Sequence, residues 1–171
     1  RQRQMCIRDS GKGSVREALK EHSSALEEGK ADILGLYLVL ELHKKGELTA
    51  DIKDYMTTFM TSIFRSVRFG ASSAHGKANM IRFYFFKEKG AFTRNKEGMY
   101  TVNYEKLNEA MKELSSLILT LQGNGDYEAV TKLVAEKGVI KENLQADLDR
   151  LTAMSIPLDI VFEQGASELG L

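Results

Sequence analysis

Apolar residues recur at helical spacing through most of the chain. Val15, Leu19, Leu26, Ile33, Tyr37 and Leu40 fall on one stripe of a helix predicted over residues 15–45. Ser14 is placed to cap it, and Glu17 and Glu21 suit its positive end. His43, Lys44 and Lys45 suit its negative end, and Gly46 is the stop. Residues 33–42 are apolar on nearly every face, which predicts burial all round. A second helix is predicted over 50–69, with Thr49 as its cap. Its core face is Ile52, Met56, Phe59, Met60, Ile63, Phe64 and Val67, and Gly70 breaks it. A third is predicted over 74–89, capped by Ser72 or Ser73 and stopped by Gly90. Met80, Ile81, Phe83, Tyr84, Phe85 and Phe86 make it a buried element.

The pattern then changes. Asn95, Lys96, Glu97 and Gly98 are turn residues flanked by Phe92, Tyr100 and Val102, which predicts a short β-hairpin over 91–102. Helical spacing returns over 104–121 (with Asn103 as cap), 127–137 and 142–154, and residues 156–162 read as extended. One proline, no tryptophan and abundant Ala, Leu, Glu and Lys agree with helix. The expected fold class is mainly α: one multi-helix unit with one short β-hairpin.

Composition narrows the function. The chain has 171 residues, 43% of them hydrophobic, enough for one cored domain or a large part of one. Formal net charge is zero and no basic stripe stands out, which argues against nucleic acid as a partner. The apolar run 33–40 is far short of the ~20 residues that span a bilayer, so no membrane partner is expected. The single cysteine, Cys6, excludes an internal disulfide and points to a cytoplasmic setting. Residues 1–10 lack an initial methionine and any helical or strand period. They resemble a translated sequencing adapter and are set apart as non-native, leaving 11–171 for fold reasoning. Cys6 is accordingly a poor candidate nucleophile.

The chemistry concentrates in Glu27, Glu28 and Asp32, where the polar front of the first helix enters its apolar half. Glu28 and Asp32 are four apart and share a face. That face continues to Gly35 and Val39, both expected to be buried. Glu27 lies about 100° round, above Leu34 and Leu38. Ionised carboxylates at the mouth of a core need partners. The residues alone leave two readings open. The carboxylates are solvated or paired with Lys30 or an arginine of the second helix, giving a non-catalytic interaction module with an internal carboxylate–arginine network. Alternatively, one of them binds zinc and the others orient ligating histidines by hydrogen bonds. His75, in the first turn of the third helix, can donate a hydrogen bond to a carbonyl oxygen as charge develops on it, or can cap and pack locally. Arg65 and Arg68, three apart on the second helix, can grip a substrate carboxylate or pair with Glu27 or Asp32. His22 reads as a packed histidine and His43 as a helix C-terminal cap.

The run Glu27-Glu28-Gly29-Lys30-Ala31-Asp32, with Leu34-Gly35-Leu36-Tyr37-Leu38 behind it, resembles the second zinc motif of the dipeptidyl peptidase III family of metallopeptidases. That motif is E-E-x-x-A-[ED] ahead of an apolar G-L-Y-L. A second block, Phe64-Arg65-Ser66-Val67-Arg68-Phe69-Gly70 and Ala74-His75-Gly76-Lys77-Ala78-Asn79, is similar to the family's shorter bacterial branch of zinc-dependent hydrolases. The resemblance runs from about residue 15 to 162. It implies a zinc cofactor, a short peptide substrate, Glu28 as a zinc ligand, and His75 as a catalytic residue at the substrate carbonyl. It also implies Glu27 and Asp32 as the carboxylates that orient the ligating histidines. Two positions depart from the family pattern: Asp32 stands where Glu is commoner, and Asn79 where better-known members carry arginine.

In that family an earlier helix supplies two histidines and the catalytic glutamate in H-E-x-x-x-H. The histidines here are His22, His43 and His75, and none lies in such a motif. The resemblance therefore implies the C-terminal part of a helical zinc-hydrolase domain, cut between its two zinc motifs. Its expected partner is the missing N-terminal half of the same protein. Alone, the chain is expected to be inactive and to bind zinc weakly.

Overall fold

The computed structural model describes residues 6–7, 13–159, 165, 166, 168 and 170. At the front, β1 (Cys6–Ile7) pairs antiparallel with β2 (Gly13–Ser14), Cys6 opposite Ser14. The adapter-like stretch thus contributes a two-residue strand where its pattern shows no period. Ser14 then caps α1 (Val15–Leu19). Its hydroxyl accepts from the Glu17 N–H, and the Glu17 carboxylate accepts from the Ser14 N–H at 2.7 Å.

The helix predicted over 15–45 is divided. Lys20 takes a positive φ of 49°, a 3-10 turn covers Lys20–His22, and α2 runs Ser23–Lys44. The cause is tertiary and lies in α6 (Tyr127–Lys137). The Tyr127 hydroxyl donates to Glu21 at 2.6 Å, Thr131 Oγ1 lies 3.0 Å from His22 Nε2, and the His22 and Tyr127 rings pack 5.4 Å apart. The turn aims Glu21 and His22 at α6, where a straight helix would carry them past it. His22 is packed, as its place on the apolar stripe predicts.

Four of the remaining helices start at polar side-chain caps. Asp51, rather than Thr49, caps α3 (Ile52–Val67) by accepting from the Lys53 N–H at 2.9 Å. Ser73 caps α4 (Ala74–Glu88) by accepting from the Gly76 N–H at 3.0 Å. Asn103 and Asp126 cap α5 (Tyr104–Asn124) and α6. Helix α5 continues three residues past its predicted end, to Gly125, which takes the left-handed conformation at φ 57°. Helix α7 covers Glu142–Ala153. Between α4 and α5, β3 (Phe92–Arg94) pairs antiparallel with β4 (Tyr100–Val102), Phe92 opposite Val102. The class is mainly α with a short hairpin, as the pattern predicts. Residues 156–159 form no regular strand, and the rest of the stretch expected to be extended, 160–162, lies outside the described residues.

Helix α4 is the axis of the molecule. Every residue from Met80 to Phe86 is buried, and α2, α3, α5 and α6 all pack on it. Helix α2 gives one face to α4 and α5. Ile33, Leu36 and Leu40 are buried there, while Gly35, Tyr37, Leu42 and Leu38 (58%) are exposed and Val39 is half-buried. The expectation of burial all round, and of a buried Gly35 and Val39, is therefore corrected: packed neighbours cover one side of α2 only. No described helix is long and apolar enough to cross a membrane.

One polar cluster joins the hairpin to α7. Asp147 is buried and accepts from Arg94 Nε and Nη2, both at 2.7 Å, and from the Tyr100 hydroxyl at 2.6 Å. The Arg94 hydrogen bonds, helped by Tyr100, hold the Asp147 carboxyl below its ordinary range against the opposing effect of burial. Burial and the neighbouring carboxylate push the Tyr100 hydroxyl up. Because the Asp147 pKa is lowered on folding, its contribution to stability is full above the unfolded value of about 3.9. It fades as pH falls through the folded value. Asp147→Asn is expected to cost about 2 kcal/mol at neutral pH. The gap to wild type should shrink below about pH 4; urea unfolding across pH reads both.

Candidate active site

The site forms where the front of α2 meets the front of α4. Gly29 of α2 lies against Ala78 of α4 and Ile118 of α5, and these small residues let the two helices approach. Glu27, Glu28 and Asp32 rise from α2 beside that contact. His75 and Asn79 rise from α4, one helical turn apart.

Glu28 faces His75. Its Oε2 is 3.2 Å from His75 Nδ1, with the Glu28 side chain 39% exposed and His75 69% exposed. Among the described residues, no Lys or Arg lies within ion-pair distance of Glu28. The flanking carboxylates differ. Glu27 is held by Lys30 Nζ at 2.7 Å on Oε2 and by Gln122 Nε2, which donates to Oε1 at 2.9 Å. Asp32 Oδ2 lies 2.9 Å from Arg82 Nη1. The structure thus brings Glu28 and His75 together and gives Glu27 and Asp32 partners of their own.

Arg82 is the residue that sequence reasoning missed. It lies inside the Met80–Phe86 run, read as apolar core, and is 3% exposed. Burial pushes its guanidinium pKa down, and Asp32 partly offsets that. Its Nη2 donates to Asn79 Oδ1, and its plane lies 4.9 Å from the centre of the Phe59 ring. Asn79 Nδ2 in turn donates to the His75 carbonyl at 2.8 Å. Nε of Arg82 has no hydrogen-bond partner, a deficit of roughly 1–3 kcal/mol. A charged residue inside a fully apolar run, with an aspartate at a core entrance elsewhere, was the signal available. Gln122 was missed because it precedes a Gly-Asn-Gly turn; it is fully buried.

Arg65 and Arg68 do not pair with Glu27 or Asp32. Arg65 Nη2 reaches Asp159 Oδ1 at 3.3 Å, and Arg68 donates to the Pro157 and Ile156 carbonyls at 2.9 and 2.7 Å. Both arginines secure the segment after α7. The cation for Asp32 comes from α4 instead of α3, because α4 is the helix packed beside it. His43 lies in the last turn of α2, where a C-terminal role was expected.

A catalytic zinc takes three protein ligands and keeps one open position. Glu28 and His75 are donors of the right kind, a carboxylate oxygen and an imidazole nitrogen. No group of three or more His, Cys, Asp or Glu side chains among the described residues is placed to hold a metal ion. The donor types suit zinc, and the described residues do not supply the number of ligands a catalytic site needs.

The first turn of α4 is also tightly seated. A Cβ on Gly76 would collide with the Gly70 carbonyl oxygen and lie 2.7 Å from Ala71 Cα, both backbone atoms. Gly76→Ala is expected to cost about 1–3 kcal/mol and to displace His75 beside it; urea unfolding and the His75 ring resonances report the two effects.

No protein-family model matches the chain. Solved structures do. Dipeptidyl peptidase III from Caldithrix abyssi superposes with a TM-score of 0.80 at 36% identity, over 86% of this chain and 28% of that one. Dipeptidyl-peptidase III from Corallococcus sp. strain EGB gives 0.81 at 38%, over 86% and 27%. Among curated proteins, Nudix hydrolase 3 of Arabidopsis thaliana is 39% identical over 148 residues, 86% of this chain and 19% of that protein. The chain therefore spans well under a third of the length of each of these relatives. The Nudix name describes a protein most of which lies outside the match.

Proposed function

We propose, for a chain that resembles dipeptidyl peptidase III in fold and sequence over 86% of its length, that it is one wall of a zinc-dependent peptidase active site. The observation that carries the reading is Glu28. It stands half-exposed beside His75, while the carboxylates on either side already have cationic partners. In this reading Glu28 holds the zinc. The remaining ligands and the general base come from polypeptide outside these 171 residues, which also completes the cleft for a short peptide. Zinc would supply Lewis acidity at such a site.

The chain's own residues then divide the work. His75 lies beside Glu28, and with Glu28 engaged on the metal its single ring N–H would be free to donate to a substrate carbonyl oxygen, a hydrogen bond that gains strength as negative charge develops. Asp32 turns Oδ2 to Arg82 and offers Oδ1 to a ligating imidazole. Glu27, neutralised by Lys30 and hydrogen-bonded by Gln122, shapes the same edge.

A second reading has one observation in its favour: Asp32–Arg82 and Glu27–Lys30 are ion pairs. A non-catalytic helical module with an internal carboxylate–cation network would show them too. Glu28 separates the two, since the module needs a cation on it.

The 171-residue chain is expected to show no tight one-to-one zinc complex by calorimetry. The longest reading frame that contains it should encode H-E-x-x-x-H upstream of residue 15 and purify with zinc. In that protein Glu28→Gln should lower zinc affinity by more than about tenfold. His75→Phe should lower kcat on short peptides by about 10²-fold with zinc retained. A frame without the histidine motif, or a Glu28→Gln protein with full zinc content, would overturn the proposal.

A further inference from the structure

The contacts around Glu28 and His75 close into a ring through one side chain. Along α2, Asp32 is one turn from Glu28. Across to α4, Asp32 Oδ2 meets Arg82 Nη1 at 2.9 Å. Arg82 Nη2 meets Asn79 Oδ1, Asn79 Nδ2 meets the His75 carbonyl at 2.8 Å, and His75 Nδ1 returns to Glu28 at 3.2 Å. We propose that Arg82 is the positioning residue of this site: it sets the Glu28–His75 geometry through Asp32 on one helix and Asn79 on the other. The proposal rests on Glu28 and His75 being the site, and adds what holds them in register.

Three observations support it. The guanidinium is a planar fork, and its two Nη groups are used in different directions, one toward each helix. A one-residue slide of α2 along α4 would carry Asp32 about 1.5 Å along the axis and out of that fork. Second, stability alone is a poor reason for the residue. It borders a small apolar cavity with Ala25, Leu26, Ala78, Ile81 and Ile118, its guanidinium carbon lies 4.9 Å from the centre of the Phe59 ring, and its Nε goes unpaired. An apolar side chain would fill this space without an unmet donor, and buried ion pairs are often replaced by apolar groups at no loss of stability. Third, Asn79 takes hydrogen bonds in both senses, accepting from Arg82 and donating to the His75 carbonyl. It therefore passes the position of Arg82 to the turn that carries His75.

The test uses the 171-residue chain with isotope-labelled histidine and follows the three imidazole rings by NMR at fixed neutral pH without metal. Glu28→Gln first marks the His75 signals that report the Glu28 contact. In Arg82→Met, which keeps the apolar volume, circular dichroism and the His22 and His43 signals should remain as in wild type. The His75 ring signals should move to the Glu28→Gln values. Arg82→Lys should not restore them, because lysine lacks the fixed planar fork that aims one donor at Asp32 and another at Asn79. Asn79→Ala, which leaves the Arg82–Asp32 pair in place, should shift His75 as well, and it serves if Arg82→Met fails to fold. Unchanged His75 signals in a folded Arg82→Met or Asn79→Ala chain would overturn the proposal. Zinc plays no part in this readout, so its result is separate from the fate of the zinc reading, which metal content decides.

Discussion

Arg82 takes a full positive charge into the contact between α2 and α4, and an apolar interior cannot answer it. The answer comes from both helices: a carboxylate from α2 and an amide from α4. Arg82 and Asn79 both belong to α4, so the Asp32–Arg82 pair is the polar contact that ties α2 to α4 beneath the exposed Glu28 and His75. The same junction explains the small residues Gly29 and Ala78, which bring the backbones close, and Gly76, whose missing Cβ lets the loop at residues 70–71 lie over the first turn of α4. Elsewhere the chain uses apolar burial for cohesion. Here it uses charge for placement.

This division accounts for the contrast among the three carboxylates. Glu27 and Asp32 are held and neutralised within the chain, so their positions are settled without any ligand. Among the described residues, the ionisable partner of Glu28 is an exposed imidazole, a contact that a metal ion or a substrate can displace. An enzyme gains from such an arrangement, since groups held before the reaction begins need no reorganisation during it. The likeness to dipeptidyl peptidase III at 36–38% identity extends over 86% of this chain, which spans 27–28% of those structures.

Most of the fold was legible because α5 and α6 combine periodic apolar faces with polar caps, α4 is a capped apolar run and α7 carries a periodic face, and these signals are local. The hairpin was legible from its turn residues. What escaped was set by distant contacts. The break at Lys20 depends on Tyr127 and Thr131, more than 100 residues away. The exposure of Leu38 and Leu42 depends on which neighbours α2 has, and periodicity does not reveal that. At the site, the carboxylates and His75 stood out by type and spacing, yet their pairing did not. Arg65 and Arg68 share a face and looked like partners for them, but α3 aims both at residues 156–159. Arg82 was hidden by its apolar neighbours, although a lone charge in such a run must find a counter-charge.

The account stands or falls on what Glu28 meets when the site is complete. Anomalous diffraction at the zinc edge, on crystals of the full reading frame loaded with zinc, measures this directly. The account predicts one zinc ion within about 2.0–2.2 Å of a Glu28 carboxylate oxygen, with His75 on the open side. A zinc peak elsewhere, or a lysine or arginine seated on Glu28 in its place, would contradict it.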